Sequence, residues 1–143
     1  MPHEQAPALR LLALDPDDLN VISAALQDAI TRVGDISFEA RSRRLTIVFN
    51  RYRWEGGKGE RVRAALQFGA VRAVQARRIR RGAKQAVLEV LAVQFEPSNP
   101  PGGTISINFA GGGDLRLDVE CVDAVLADLS EPWPTPREPV HES

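Results

Sequence analysis

The sequence contains few of the residues that most catalytic and metal sites require. Its 143 residues include one cysteine, two histidines and one tyrosine. A single cysteine cannot form an internal disulfide, and unpaired thiols are typical of a reducing compartment. Apolar runs are much shorter than the ~18 residues that a membrane-spanning helix needs. Met1–Pro7 lacks the basic start and apolar core of a signal peptide. We therefore expect a cytoplasmic protein without membrane insertion.

The scarce reactive residues are poorly placed for catalysis. His3 and His141 lie near the two ends, where chain is often disordered, whereas a general base must be held within hydrogen-bond reach of its target. Cys121 follows the apolar positions of a predicted strand, which indicates a buried and unreactive thiol. We expect no catalytic residue.

An acidic cluster near the start of the chain is better explained by helix capping than by metal binding. Asp15, Asp17 and Asp18 share part of the spacing of a calcium loop, but the glycine and the distal glutamate of that loop are missing. Asp15 followed by Pro16 is instead typical of a helix start. We expect no metal and no cofactor.

Composition and patterning predict one folded domain. Hydrophobic residues make up 43% of the chain and charged residues 26%, which is typical of a soluble globular protein. We expect residues 1–7 to be disordered, residues 8–131 to form a single α+β domain, and residues 132–143 to be a proline-rich loose tail.

Alternating apolar residues predict most of the strands. Strands are predicted for residues 9–14, 36–38, 45–50, 62–68, 71–74 and 87–95. The apolar alternation changes phase after Phe49, where Tyr52 and Trp54 take the opposite parity, and this change predicts a β-bulge near Asn50. A helix with Leu19, Ile22 and Leu26 on one face should separate the first strand from the second.

The clearest prediction is a hairpin near the end of the domain. Residues 104–109 and 114–120 alternate on either side of Gly111–Gly113, which can supply the positive φ of a tight turn. Val122, Val125 and Leu129 then recur at helical spacing and predict a closing helix. The predicted fold is α+β, with a curved antiparallel sheet or partly closed barrel of about seven strands and two covering helices. That outline is similar to pleckstrin-homology-like barrels.

The charge distribution is highly uneven. Fourteen of the eighteen Lys and Arg residues, but only two of the nineteen acids, lie between Arg41 and Lys84, so this segment carries a net charge of +12 and the rest −13. The candidate anion-binding residues in this segment are four arginines and two aromatic residues: Arg51, Arg53, Arg61, Arg63, Tyr52 and Trp54.

Three interpretations of these residues follow from the sequence. The first is a non-catalytic binding module with a basic sheet face for an acidic protein or nucleic acid, or a homo-oligomer formed through a sheet edge. The second is an enzyme that holds a small anionic substrate with these arginines and uses an Asp or Glu base. The third is a solvated face whose arginines pair with acids from residues 15–39 and 114–131.

Three segments also carry a family resemblance: residues 11–29, Asn50–Glu55, and the glycine-rich hairpin with its continuation, Phe109–Cys121. On these segments the chain resembles a bacterial domain-of-unknown-function family (DUF2948) over about residues 8–131. The resemblance implies a small, single-domain bacterial protein and brings no activity to any residue.

Overall fold

The computed structural model describes residues 8–56 and 59–135. This part of the chain forms eleven strands, one α-helix, α1 (Pro16–Ala25), and a single 3₁₀ turn, Val33–Asp35. The strands are β1 (Arg10–Ala13), β2 (Ile30–Arg32), β3 (Ile36–Glu39), β4 (Arg44–Tyr52), β5 (Glu60–Phe68), β6 (Val71–Arg77), β7 (Val87–Pro97), β8 (Gly103–Phe109), β9 (Asp114–Val119), β10 (Ala124–Asp128) and β11 (Trp133–Pro134).

The strands form one open antiparallel sheet. The order is β1-β10-β5-β4-β2-β7-β8-β9-β6, and β3 and β11 pair additionally with β4 and β5. Residues 87–89 of β7 pair with β2, and residues 90–97 pair with β8, so β7 joins the two halves of the sheet. The buried apolar side chains of both halves form a single core cluster. The sheet is therefore folded around one core without closing into a barrel.

The predicted helix start is confirmed at α1. The Asp15 side chain accepts a hydrogen bond of 2.8 Å from the amide of Asp18, and the Asp18 carboxylate accepts one from the amide of Leu14. The first bond satisfies one of the amide groups that the first helical turn leaves free, and the second fixes the chain just before the helix. Leu19 and Ile22 face the core and attach α1 to the sheet.

The predicted hairpin is also confirmed. Ile105 pairs with Leu117 and Ile107 with Leu115 across β8 and β9. Gly111 and Gly112 have φ values of +90° and +96°, a region that side chains with a Cβ rarely adopt. The strand ends at Val119, so Cys121 lies beyond it and is half-buried. The prediction that Cys121 is a buried core residue is therefore wrong.

The predicted closing helix is wrong. Residues 124–128 form β10, which lies between β1 and β5 and pairs with both. Ala124 and Leu126 are buried, while Leu129 is largely exposed. Over so short a segment these burial positions fit a strand as well as a helix. The described residues thus contain one α-helix instead of two and eleven strands instead of about seven. The sheet is open, so the analogy with a closed barrel does not hold.

The predicted bulge at Asn50 is also wrong. The pairing of β4 with β5 runs without a shift from Leu45 opposite Phe68 to Tyr52 opposite Arg61. Register shifts occur instead in the β6–β9 and β7–β8 pairs. Consequently Arg51 keeps the core-facing parity of Phe49.

The predicted tail contains an ordered start, because Trp133 and Pro134 pair with Arg61 and Glu60 of β5. The rest of that segment, residues 136–143, lies outside the described residues, as do residues 1–7 with the disorder predicted for them. His3 and His141 belong to these two ranges.

Candidate functional site: a cationic cleft beside a buried arginine network

Arg51 is a buried structural residue. Its side chain has no exposed area and lies between Asp128 and Glu55. Nε and Nη2 donate to Asp128 at 2.9 and 3.0 Å, Nη1 and Nη2 donate to Glu55 at 2.9 and 2.6 Å, and Nη1 also reaches the carbonyl of Tyr52. These bonds use all five N–H groups of the guanidinium. Arg51 therefore has no donor left for a ligand.

The charges in this network stabilise one another. Burial lowers the pKa of Arg51, but the hydrogen bonds to Glu55 and Asp128 outweigh it and raise the pKa above its ordinary value. The hydrogen bond from Arg51 lowers the pKa of the Glu55 carboxyl. Asp128 also accepts a 2.8 Å bond from the amide of Leu9, which ties the network to the start of β1.

Arg53 is also buried, and it is held by acids. Its Nη1 donates to Glu60 at 2.7 Å, and its guanidinium covers Gly56 so closely that any side chain at that position would overlap it. The expectation that Arg51 and Arg53 lie on an exposed basic face does not hold, because paired carboxylates allow both cations to be buried.

The two aromatic candidates have different environments. Tyr52 is buried, and its hydroxyl accepts a 3.1 Å bond from the amide of Gly59. Trp54 is 41% exposed, packs edge-on against Tyr52 and donates from Nε1 to the carbonyl of Gln27. Of the two, only Trp54 presents a surface for stacking.

Arg61 and Arg63 are neighbours on one face of β5, but only Arg63 is exposed. Burial lowers the pKa of Arg61, although the nearby charges of Asp28 and Glu89 raise it in part. Arg61 donates to the carbonyl of Asn50, whereas Arg63 reaches the Asn50 side chain at 3.4 Å. Arg63 is thus the one predicted arginine that faces open space.

Arg63 lines a polar cleft of about 500 Å³. Two further cations from distant parts of the chain line the same cleft, namely Arg32 at the end of β2 and Lys84 in the loop before β7. In the part of the chain that the structure describes, none of the three has a carboxylate within ion-pair distance. Arg32 donates to Gln85 at 3.0 Å.

The backbone brings these segments together through an interruption in the sheet. β2 pairs with β4 only at Ile30 and Asn50, after which the 3₁₀ turn takes the chain toward the loop before β7. Gly34 donates to the carbonyl of Lys84 at 2.8 Å, and the Thr31 hydroxyl donates to the carbonyl of Val48 at 2.7 Å. The gap between β2 and β3 forms the cleft.

Some arginines of the basic segment pair with acids of the C-terminal half. Arg72 pairs with Asp118 at 3.1 Å and Arg77 with Asp114 at 2.8 Å, and Arg43 pairs with Glu120. The hydrogen bond to Asp114 raises the pKa of Arg77, and the same bond lowers the pKa of the Asp114 carboxyl. The uneven charge distribution along the chain is therefore partly a folding device.

Sequence reasoning missed Arg32 and Lys84 as cleft residues, since nothing near them marks a site. The burial of Arg51, by contrast, could have been predicted from the sequence. Arg51 and Asp128 each continue the core-facing parity of an apolar strand, and two opposite charges at such positions indicate a buried pair. No group of metal-binding side chains occurs among residues 8–56 and 59–135.

The fold and the cleft define a class, an open antiparallel β-sheet domain with a cationic cleft at a gap in its sheet. A family model described as "Protein of unknown function (DUF2948)" matches residues 9–141, so the chain belongs to that family. No curated protein and no solved structure gives a significant match. The one α-helix in the described ranges is too short to cross a membrane.

Proposed function

We propose that the protein is a non-catalytic binding module that takes acidic side chains of a protein partner into the cleft lined by Arg32, Arg63 and Lys84. The observation that carries the proposal is the convergence of three cations in one cleft without a described ion-pair partner. Guanidinium groups that lack a carboxylate partner are suited to bind one from outside.

Two observations favour a protein carboxylate over nucleic acid. Arg51 and Arg53 are already bound to carboxylates of the chain itself, so they do not extend the cleft into a longer basic groove for a phosphate backbone. Tyr52 is buried, so a strand of bases would find one exposed aromatic residue in this region, Trp54. Single-stranded nucleic acid is usually bound by several stacking side chains along a basic groove.

The test is calorimetric titration of the full chain with a hexaglutamate peptide and, in parallel, with single-stranded RNA of equal charge. We expect the peptide to bind and its affinity to fall as salt is raised, because these cations are exposed. Arg63→Gln and Arg32→Gln should each weaken binding about tenfold, the loss expected for one charge-assisted hydrogen bond. Arg80→Gln is the matched control, since Arg80 is exposed and does not line the cleft.

Two results would contradict the proposal. Equal losses in Arg63→Gln and Arg80→Gln would mean that a diffuse field, not the cleft, attracts the peptide. Stronger binding of RNA than of hexaglutamate would identify the other class of partner.

An enzyme acting on a small anionic substrate is the second candidate, and the cleft supplies a specific reason to consider it. Asp35 lines the cleft together with the three cations, so a carboxylate base would lie near a bound anion. Asp35→Asn should leave peptide binding intact if the module proposal holds. A turnover assay that loses activity in Asp35→Asn while binding persists would favour the enzyme.

A further inference from the structure

A second cavity, separate from the cleft, lies between β3 and β6. Its volume is about 340 Å³, near the lower limit of small-molecule sites. Leu45 lies at this groove, whereas Val48 lies at the cleft, and these two residues point to opposite faces of β4. The groove therefore opens on the core-facing side of the sheet, and it shares only Gly34 and Lys84 with the cleft.

The lining of the groove is mainly apolar. Its walls and floor come from four strands, the 3₁₀ turn and the loop after β6, and they include Ile36, Phe38, Val74, Ala76, Ile79 and Leu115. Phe38 is 37% exposed, and Ile36, Val74 and Ile79 are half-buried although they pack against the core. Apolar area thus remains open to water where the two halves of the sheet separate.

Two cations lie at the edge of this apolar surface. Arg81 and Lys84 line the groove, both are exposed, and no acidic residue is among the described residues that line it. The loop that carries Arg81 is held near the groove by Ile79, which packs against Gly113 so closely that a Cβ there would lie 3.1 Å from Cγ1 of Ile79. The combination is complementary to a molecule with an apolar body and an anionic end.

We infer that this groove binds a straight-chain carboxylate of medium length, with the chain against the apolar lining and the carboxylate at Arg81 and Lys84. A volume of 340 Å³ corresponds to roughly eleven groups of the size of a water molecule, which suits a chain of about ten carbons. A whole protein partner would need about 800 Å² of contact on this chain, more than one narrow groove provides.

The test is titration of the full chain, carrying ¹³C-labelled methyl groups, with decanoate, decanol and acetate below any micelle-forming concentration. Decanoate should shift the methyl resonances of Ile36, Ile79 and Leu115 and leave those of Leu12 and Leu14, exposed at the other end of the sheet, unchanged. Decanol should bind about tenfold more weakly because it lacks the charge, and acetate should not bind because it lacks the chain.

Variants separate this site from the cleft. Arg81→Gln should weaken decanoate binding about tenfold, while Arg80→Gln and the cleft variant Arg63→Gln should not. Ala76→Phe should fill the groove and abolish binding. If that variant does not fold, the methyl shifts of the unaltered protein still locate the ligand.

Three outcomes would overturn the inference: no methyl shifts with decanoate, shifts centred on Leu12 and Leu14, or equal affinity for decanoate and decanol. The inference does not depend on the proposed function. Loss of hexaglutamate binding in Arg63→Gln together with unchanged decanoate binding would confirm that the two sites are distinct.

Discussion

At the scale of single residues, Arg51 shows how burial can turn a candidate ligand-binding side chain into a structural one. Two carboxylates bind the Arg51 side chain. Asp128 also accepts a hydrogen bond from the Leu9 amide, and Glu55 is only four residues from Arg51 in the chain. Removing one partner of such a pair leaves a charge without compensation, which costs more than the pair itself contributes.

The first prediction concerns Arg51→Met. The variant leaves the Asp128 carboxylate buried without its cation, so the free energy of unfolding should fall by about 3–5 kcal/mol. Arg63→Met removes the same charge from an exposed site and should change it by less than ~0.5 kcal/mol. Urea denaturation measures both. Equal stability of the two variants would show that the Arg51 network is not structural.

The second prediction concerns pH and Glu55. The pKa of Glu55 is lowered in the folded protein by its hydrogen bond to Arg51. The stability that this bond contributes is present above the unfolded pKa of about 4.3 and is lost as pH falls through the folded value. Glu55→Gln should therefore be less stable than the unaltered protein at pH 7, and the difference should shrink in acid. Denaturation midpoints at several pH values measure it, and a constant difference would contradict the assignment.

At the scale of elements, strand and helix were distinguishable where the pattern was long and clean. β8 and β9 each alternate over a full strand with a glycine turn between them, and both were predicted. β10 has five residues, and an apolar pattern of that length fits either period. Its identity depends on β1 and β5, which hydrogen-bond it from both sides.

The third prediction concerns the glycine turn. Gly111 has a φ of +90° and no atom within 4 Å of the position of a Cβ, so a substitution there tests backbone conformation without a clash. Gly111→Val should lower stability by about 1–3 kcal/mol. Gly82→Val is the control, because Gly82 is equally open but lies outside the left-handed region. Thermal melting of both variants decides, and equal melting temperatures would contradict the turn assignment.

At the scale of the whole molecule, the basic middle and the acidic C-terminal half are joined by ion pairs. Pairs such as Arg72–Asp118 and Arg43–Glu120 lie on the surface, where each contributes about 0–1 kcal/mol. Loss of the pairs made by the buried Arg51 and Arg53 should lower the stability of the fold much more. Arg32, Arg63 and Lys84 at the cleft and Arg81 at the groove are among the cations that have no ion-pair partner in the described ranges.

The fourth prediction compares two quadruple charge reversals. Changing Arg51, Arg53, Arg61 and Arg63 to Glu places new carboxylates beside the buried Asp128 and the partly exposed Glu55 and Glu60. The loss should exceed the 5–15 kcal/mol stability of a typical domain. Changing Arg41, Arg44, Arg63 and Arg80 to Glu alters the net charge equally, but all four are exposed. Circular dichroism and gel filtration should show the first variant unfolded and the second folded. A folded first variant would mean that the buried network can be dispensed with.

The sequence by itself determined the antiparallel character of the fold, the start of α1, the hairpin at Gly111–Gly113 and most strands. Each of these depends on interactions between residues close in sequence, such as side-chain alternation, capping and turn conformation. Family membership was likewise readable from local segments, chiefly the glycine-rich hairpin.

Only the tertiary structure decided which charges remain free. Arg51 and Asp128 are 77 residues apart, and the cleft combines cations from β2, β5 and the loop before β7. Strand alternation places a side chain on a face, but it does not say which distant strand supplies the opposing charge. The order of distant strands in the sheet decides which charges meet. For this reason Arg51 and Arg53 are buried against carboxylates, while Arg32, Arg63 and Lys84 remain open to solvent.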